Sequence, residues 1–368
     1  MSTRGDQLRL ATRGSKLARW QAETVKERLA SRRRPVELVE VETTGDQIRD
    51  ELIHQLGATG AFVRSLDEKV LSGELDAAVH SMKDMPTDQP DDLVVAAVPE
   101  RGPVADVLVT PDGTSLSDLP SGAIVGTSSL RRGAQLLAAR PDLKIEGLRG
   151  NVDTRVKKLL APSLRRERDR RKDAEREDNY DSDQYDRKPA EWVEDRSPLE
   201  QEALEQPVDT EYDAICLAQA GLERSGLLSQ LEYERLDPRR FVPAPAQGAI
   251  AVTALDGEVA AHIHDVVDHP PTRVETTVER TILSELGGGC VAPVGILARL
   301  QGDVVTTTVR VLSRDGTEEV TETRELAVEN HGTAAAEFAT HLAEQGAADL
   351  VEQARRAEPD EPKRGDSE

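Results

Sequence analysis

Short apolar runs rich in Val, Ile and Leu alternate with longer amphipathic stretches, and that alternation limits the folds open to this chain more than any motif does. Leu8–Thr12, Leu17–Ala30, Val36–Val41, Ala61–Leu71 and Ala77–His80 read as strand, helix, strand, helix, strand. After the Pro- and Gly-bearing stretch Pro99–Pro103, strand-like Val107–Val109 and Ala123–Val125, a helix over Ser129–Ala139 and strand-like Leu143–Leu148 make a second such unit. Pattern returns at Tyr212–Leu217, at the helix end Leu222–Leu227 and at Ala249–Ala254. Helical stretches then run to Leu286, followed by alternating runs at Gly295–Leu300, Val304–Leu312 and Glu319–Val328 and a closing helix over Ala334–Arg356. Two α/β units and a small α+β domain follow. No internal repeat is visible.

Between Pro162 and Pro207 the periodicity fails: residues 165–205 hold 15 acidic and 10 basic side chains. Such a stretch has little apolar surface to bury, so it reads as a surface insertion, mostly mobile, with at most a transient helix over Arg165–Glu177. Three of the nine aromatic residues (Tyr180, Tyr185 and Trp192) lie in it and are not expected to add to a core. The net negative run also argues against a nucleic-acid arm.

With 368 residues the chain is long enough for two or three domains. Its net charge of −22 excludes broad nucleic-acid or anionic-membrane binding, and only 10 of its 47 basic residues are Lys. Many carboxylates balanced by arginine make a surface suited to concentrated salt, which screens their mutual repulsion. Simple solubility is the other reason a chain can be this acidic. Neither Cys216 nor Cys290 has Cys or His at metal-ligand spacing, so no structural metal is expected. No apolar run approaches membrane-spanning length, and a cytoplasmic, reduced protein is expected.

Candidate chemistry sits at strand ends, where open α/β sheets place their ligands. His80-Ser81-Met82-Lys83-Asp84-Met85-Pro86 follows Asp76–Val79; as a bare pair, Lys83 and Asp84 would also suit a solvated loop. Gly126-Thr127-Ser128-Ser129-Leu130-Arg131-Arg132 joins a strand to a helix, offering hydroxyls, free backbone N–H groups and arginines to a carboxylate or phosphate. Arg149-Gly150-Asn151 through Arg155 repeats that logic, as does Arg13-Gly14-Ser15; singly, each is also compatible with surface ion pairs. Arginines at three strand ends of an acidic protein point to a small polyanion. Cys290, after three glycines, is poised on a loop of wide backbone freedom, where a small apolar turn residue is the plainer reading. Cys216, inside an apolar strand, reads as inert.

These blocks, with Leu10-Ala11-Thr12, Thr44-Gly45-Asp46, Leu148-Arg149-Gly150-Asn151-Val152, Tyr212-Asp213-Ala214-Ile215, Ala246-Gln247-Gly248-Ala249 and Gly288-Gly289-Cys290, resemble the porphobilinogen deaminase (hydroxymethylbilane synthase) family in the right order along nearly the whole chain. The resemblance implies an α/β protein of three domains, two like those of periplasmic binding proteins and a third, α+β, carrying the cysteine loop. The implied division is 1–100 with 246–262, 104–240 with the insertion 162–207, and 265–356, followed by a disordered tail, 357–368.

By the same resemblance, Cys290 holds a covalent dipyrromethane cofactor and Asp84 is the principal catalytic residue. Ser81, Lys83, Thr127, Ser129, Arg131, Arg132 and Gly150 bind the cofactor; Arg13, Ser15, Phe62, Arg149, Arg155 and Arg224 bind substrate. The implied partner is porphobilinogen, joined four at a time into a linear tetrapyrrole, by a monomer that uses no metal. A non-catalytic anion receptor is the alternative, which Cys290 and Asp84 argue against. Departures are Gly57-Ala58-Thr59-Gly60 before Phe62, where the family commonly has a lysine, the acid at Arg273-Val274-Glu275, where relatives are often basic, and the insertion.

The charge pattern makes stability salt-dependent: the melting temperature should climb as salt is raised to molar levels, and a flat salt response in differential scanning calorimetry would contradict it.

Overall fold

The computed structural model describes residues 7–32, 34–42, 61–176, 185–287 and 292–356, and at 61 and 62 the backbone only. The Cys290 loop, the Phe62 side chain, Thr44-Gly45-Asp46, Gly57–Gly60, Tyr180 and the tail 357–368 thus lie outside the described residues.

The first sheet is built from β1 (Leu8–Thr12), β2 (Val36–Glu40), β3 (Ala77–Ser81), β4 (Leu93–Ala97) and β10 (Ile250–Leu255), in the order β2-β1-β3-β10-β4. β1 runs parallel to β2 and β3, whereas β10 is antiparallel to β3 and β4. The second sheet holds β5 (Asp106–Val109), β6 (Ile124–Gly126), β7 (Lys144–Glu146), β8 (Ala214–Ala218) and β9 (Tyr233–Arg235), in the order β7-β6-β8-β5-β9. Here β6 is parallel to β7 and β8, and β5 antiparallel to β8 and β9.

Both sheets therefore follow one plan: second, first and third strand, then one antiparallel strand from elsewhere in the chain, then the fourth. In the first sheet that strand is β10, laid down on the chain's return; in the second it is β5, laid down on arrival. This duplication leaves no trace in the sequence, because the order of apolar strands can repeat while every side chain differs.

The third sheet, antiparallel, is β11 (Val294–Gln301), β12 (Val304–Leu312) and β13 (Glu319–Ala327). Helices α9 (Pro270–Glu285), α10 (His331–Glu344) and α11 (Ala347–Arg356) cover it, burying Val278, Ile282, Phe338, Leu342 and Val351 against Ile296, Val305 and Val309. The closing helix expected from sequence is two helices, broken at Gly346, whose φ of 99° a side chain would rarely adopt.

Contacts gather the chain into two compact units. One holds the first and third sheets with Ser129–Ala139 and the chain from Asp237 on; the other holds Asp106–Ser128 and Arg140–Leu236. Helix α3 (Leu130–Ala139) belongs to the first because Arg131 and Gln135 donate to the carbonyl of Val242, at 2.8 and 2.9 Å.

The charged segment departs from its sequence reading. Helix α4 runs unbroken from Val152 to Arg176 with Pro162 inside it, and α5 (Pro189–Glu194) and α6 (Pro198–Glu205) follow. Ser197 and Glu200 form a capping box, with Pro198 at the first helical position. α6 packs on α4, placing Leu199 beside Val156 and Leu159, and Lys157 meets Glu202 at 2.6 Å.

Trp192 is not a surface residue. It is buried, with the Arg171 and Arg196 guanidiniums 5.3 and 4.9 Å from its ring, and Arg171 also stands 5.1 Å from the Tyr185 ring. Arginine stems and aromatic faces supply the packing that apolar periodicity lacks, which is why a pattern search misses it.

Trp192→Ala should cost this segment about 3–5 kcal/mol. Limited proteolysis should then cut between residues 185 and 205 while the remaining chain stays intact; unchanged resistance would contradict the anchoring role.

Candidate active site

In the first unit the parallel pairing of β1 and β3 brings both of their C-terminal ends to one edge of the sheet. Arg13 and Ser15 follow β1; Ser81 ends β3, and Lys83 and Asp84 follow it. Ser15 caps helix α1 (Lys16–Leu29), its Oγ accepting from the Ala18 N–H at 3.3 Å. Met82–Asp84 form a single 3₁₀ turn, with Met82 and Met85 buried among Val63, Val98, Ala249 and Ala251. Lys83 is half-buried and Asp84 exposed. Two apolar anchors thus hold the turn from below and leave its carboxylate facing outward.

The segment returning to β10 reaches the same edge, where Ile250 pairs with Ser81 and the Met82 N–H bonds the Ala249 carbonyl at 3.1 Å. It is crowded. A Cβ at Gly248 would lie 2.7 Å from the carbonyls of Gly102 and Pro103, and Ala246 takes a φ of 58°. Gln247, fully buried, donates to Val104 O at 2.7 Å, and its Oε1 accepts from Arg131 and Arg132 at 3.4 and 3.3 Å.

Arg131 and Arg132 stand in the first turn of α3, as expected at this strand-to-helix junction. Both are buried, with their heads on the return segment. Ser129 keeps a capping role, its Oγ accepting from the Arg132 N–H at 3.4 Å.

In the second unit two junctions meet through one hydroxyl. Ser128 Oγ donates to Leu148 O at 2.7 Å and accepts from the Leu148 N–H at 3.1 Å. That places buried Thr127 beside the Arg149–Gly150 turn. Gly150 has a φ of +108°, and a Cβ there would lie 2.7 Å from Thr154; Arg155 Nε donates to Gly150 O at 2.8 Å. Arg224, on α7 (Gln219–Arg224), is part-buried. Burial holds its pKa below the ordinary value despite the neighbouring charge of Glu223, so an added anion would stabilise its protonated form.

Sequence reasoning missed the buried ion pair behind this edge. Glu279 of α9 takes both arms of the Arg101 guanidinium at 2.8 Å and accepts from the Ala246 and Ala298 N–H groups at 2.6 and 2.8 Å. Burial lowers the Arg101 pKa, and Glu279 and Glu275 more than offset it, leaving it raised. Glu275, the acid in an often basic position, is absorbed by Arg101 at 3.6 Å, Arg299 at 3.9 Å and the Leu300 N–H at 3.1 Å.

Arginines and hydroxyls at the strand ends of each unit, with an exposed carboxylate in the first, suit an enzyme acting on small polycarboxylates, and comparison with known proteins narrows this class. The dipyrromethane cofactor-binding domain of porphobilinogen deaminase matches residues 8–165 and 199–262, and the C-terminal domain of that enzyme matches 274–345. The chain is 51% identical over 389 residues to a probable porphobilinogen deaminase of Halobacterium salinarum, covering 95% of this chain and 98% of that protein. To one of Methanococcoides burtonii it is 36% identical over 347 residues, covering 94% and 96%. The methionine-binding protein MetQ aligns at 12% identity with a TM-score of 0.35, over 71% of this chain and 89% of that one. The chain belongs to the porphobilinogen deaminase family. The break in the family match, 166–198, falls within the charged insertion.

Gly126→Ala would set a Cβ 2.7 Å from the Tyr212 ring, whose hydroxyl donates to Gly147 O at 2.7 Å beside the arginine turn. A loss of about 1–3 kcal/mol is expected, as for other overpacked sites, and Tyr212→Leu should recover part of it in thermal denaturation.

Proposed function

We infer that this chain deaminates porphobilinogen and condenses four units head to tail into hydroxymethylbilane, a transferase step of tetrapyrrole synthesis, with Asp84 as its catalytic residue. The observation that supports this is the parallel pairing of β1 and β3, by which Arg13 and Ser15 follow β1 at the same end of the sheet where Ser81, Lys83 and the exposed Asp84 stand. A receptor for anions gains nothing from an exposed carboxylate there, since like charges repel.

The donor set fits a cofactor bearing several carboxylates: Lys83, Arg131 and Arg132 are cations, Ser81, Thr127 and Ser129 are hydroxyls, and Gly150 gives the turn between Arg149 and Arg155 its positive φ. When attached through Cys290, the dipyrromethane would supply the free pyrrole α-carbon that primes the chain. Arg13, Ser15, Arg149, Arg155 and Arg224 would hold the acetate and propionate groups of substrate, the planar arginine forks binding carboxylates bidentately. Phe62 would pack against the rings. Asp84 would hold the positive charge that develops on a pyrrole N–H and carry the proton exchanged with the departing amine. One carboxylate can serve every round because each round repeats the same charge change.

We also propose the division 1–100 with 246–262, 104–240 and 265–356 into domains, a monomer without nucleic-acid partners, and a cytoplasmic location. Among the described residues no helix is long and apolar enough to cross a membrane.

Intact-mass measurement tests the reading. Chain produced with substrate present should be heavier by two condensed porphobilinogen units, and Cys290→Ser should abolish the excess. Asp84→Asn should keep that mass and lose nearly all product formation; normal turnover by this variant would refute the assigned role.

A further inference from the structure

Helix α9 does more than lead the chain to Cys290. Its Arg280 reaches across to the turn that carries Asp84: Nη1 stands 3.2 Å from the Met85 carbonyl and 3.5 Å from that of Met82, and Nη2 donates to the Pro86 carbonyl at 2.6 Å. These carbonyls bracket Lys83 and Asp84. One guanidinium therefore grips the turn on both sides of the acid.

The grip is rigid at its own end too. The preceding residue, Glu279, is fixed by Arg101 and by the backbone N–H groups of Ala246 and Ala298, so the helix backbone at Arg280 has little freedom. A planar five-donor fork spanning several carbonyls fixes both distance and orientation, which a lysine ammonium cannot reproduce.

We propose that Arg280 is a positioning residue, holding the Asp84 turn in register with the helix that ends in the Cys290 loop. This rests on the roles inferred above for Asp84 and Cys290. Arg280 acts through backbone, and its loss loosens where Asp84 stands without removing any group that binds substrate.

The test compares Arg280→Met, Asp84→Asn and the double variant. Arg280→Met should retain the cofactor mass, keep KM within about threefold and lower kcat about 10- to 100-fold, the scale of an ångström-level misplacement. Hydrogen exchange should quicken at the Met82 and Met85 amides and not within β3. In single-turnover measurements the double variant should be no slower than Asp84→Asn alone, since a residue acting through Asp84 has nothing left to position.

Wild-type kcat with unaltered exchange, or losses that multiply in the double variant, would overturn the proposal. Should Arg280→Met fail to fold, Arg280→Lys carries the same test: it keeps the charge but not the fork, and wild-type kcat in it would equally overturn the role. Normal turnover by Asp84→Asn would instead condemn the catalytic reading itself, whatever Arg280 does.

Discussion

The buried carboxylate of Glu279 is the fixed point of the first unit. Each of its oxygens accepts one arm of Arg101 and one backbone N–H, so four donors saturate a charge that burial would otherwise make costly. Those donors come from three places: the segment leaving the first sheet, the segment returning to it, and β11 of the third sheet. Ala246 holds its left-handed backbone conformation, worth about 1–3 kcal/mol of strain, while donating to this carboxylate. Take the carboxylate away and two buried amides lose their acceptor, while Arg101 keeps only the Gln247 carbonyl and the more distant Glu275.

From that point the site is assembled by backbone. Gln247, next to Ala246, offers its side chain to Val104 and to the two arginines of α3, and its carbonyl to Arg101 Nε at 2.8 Å. The chain then enters β10 beside β3, whose end carries Ser81 and Asp84. Serine 128 does comparable work in the second unit, joining the loops before α3 and α4 through one hydroxyl. Polar side chains bonded to backbone thus set where strand ends stand, and the apolar clusters beneath supply the burial.

The acid-rich composition shapes the packing as well as the surface. Arginine takes up roles filled elsewhere by aromatic or aliphatic residues: Arg171 lies between Tyr185 and Trp192, and Arg165 donates to the Leu204 and Gln206 carbonyls to tie α4 to the chain after α6. The insertion is thereby continuous with the helix whose first turns carry Arg155, and among its described residues, 162–176 and 185–207, it forms helices packed by these contacts.

The sequence alone determined the α/β alternation, the small α+β domain and the strand-end blocks, because burial imposes a period that local residues must obey and because the family blocks stand intact in order. It also singled out Asp84, Ser81, Arg13 and the Arg149 turn by their places after strands. Only tertiary structure decided what depends on contacts between distant positions: the shared connection order of the two five-stranded sheets, the affiliation of α3 with the first unit, the helices of the insertion, and the hold of Glu279 on the segments leaving and re-entering the first sheet and of Arg280 on the turn that carries Asp84. Arg101 and Glu279 lie 178 residues apart, and neither carries a local signal. An ion pair is written in the sequence as two ordinary charges, and folding alone brings them within reach.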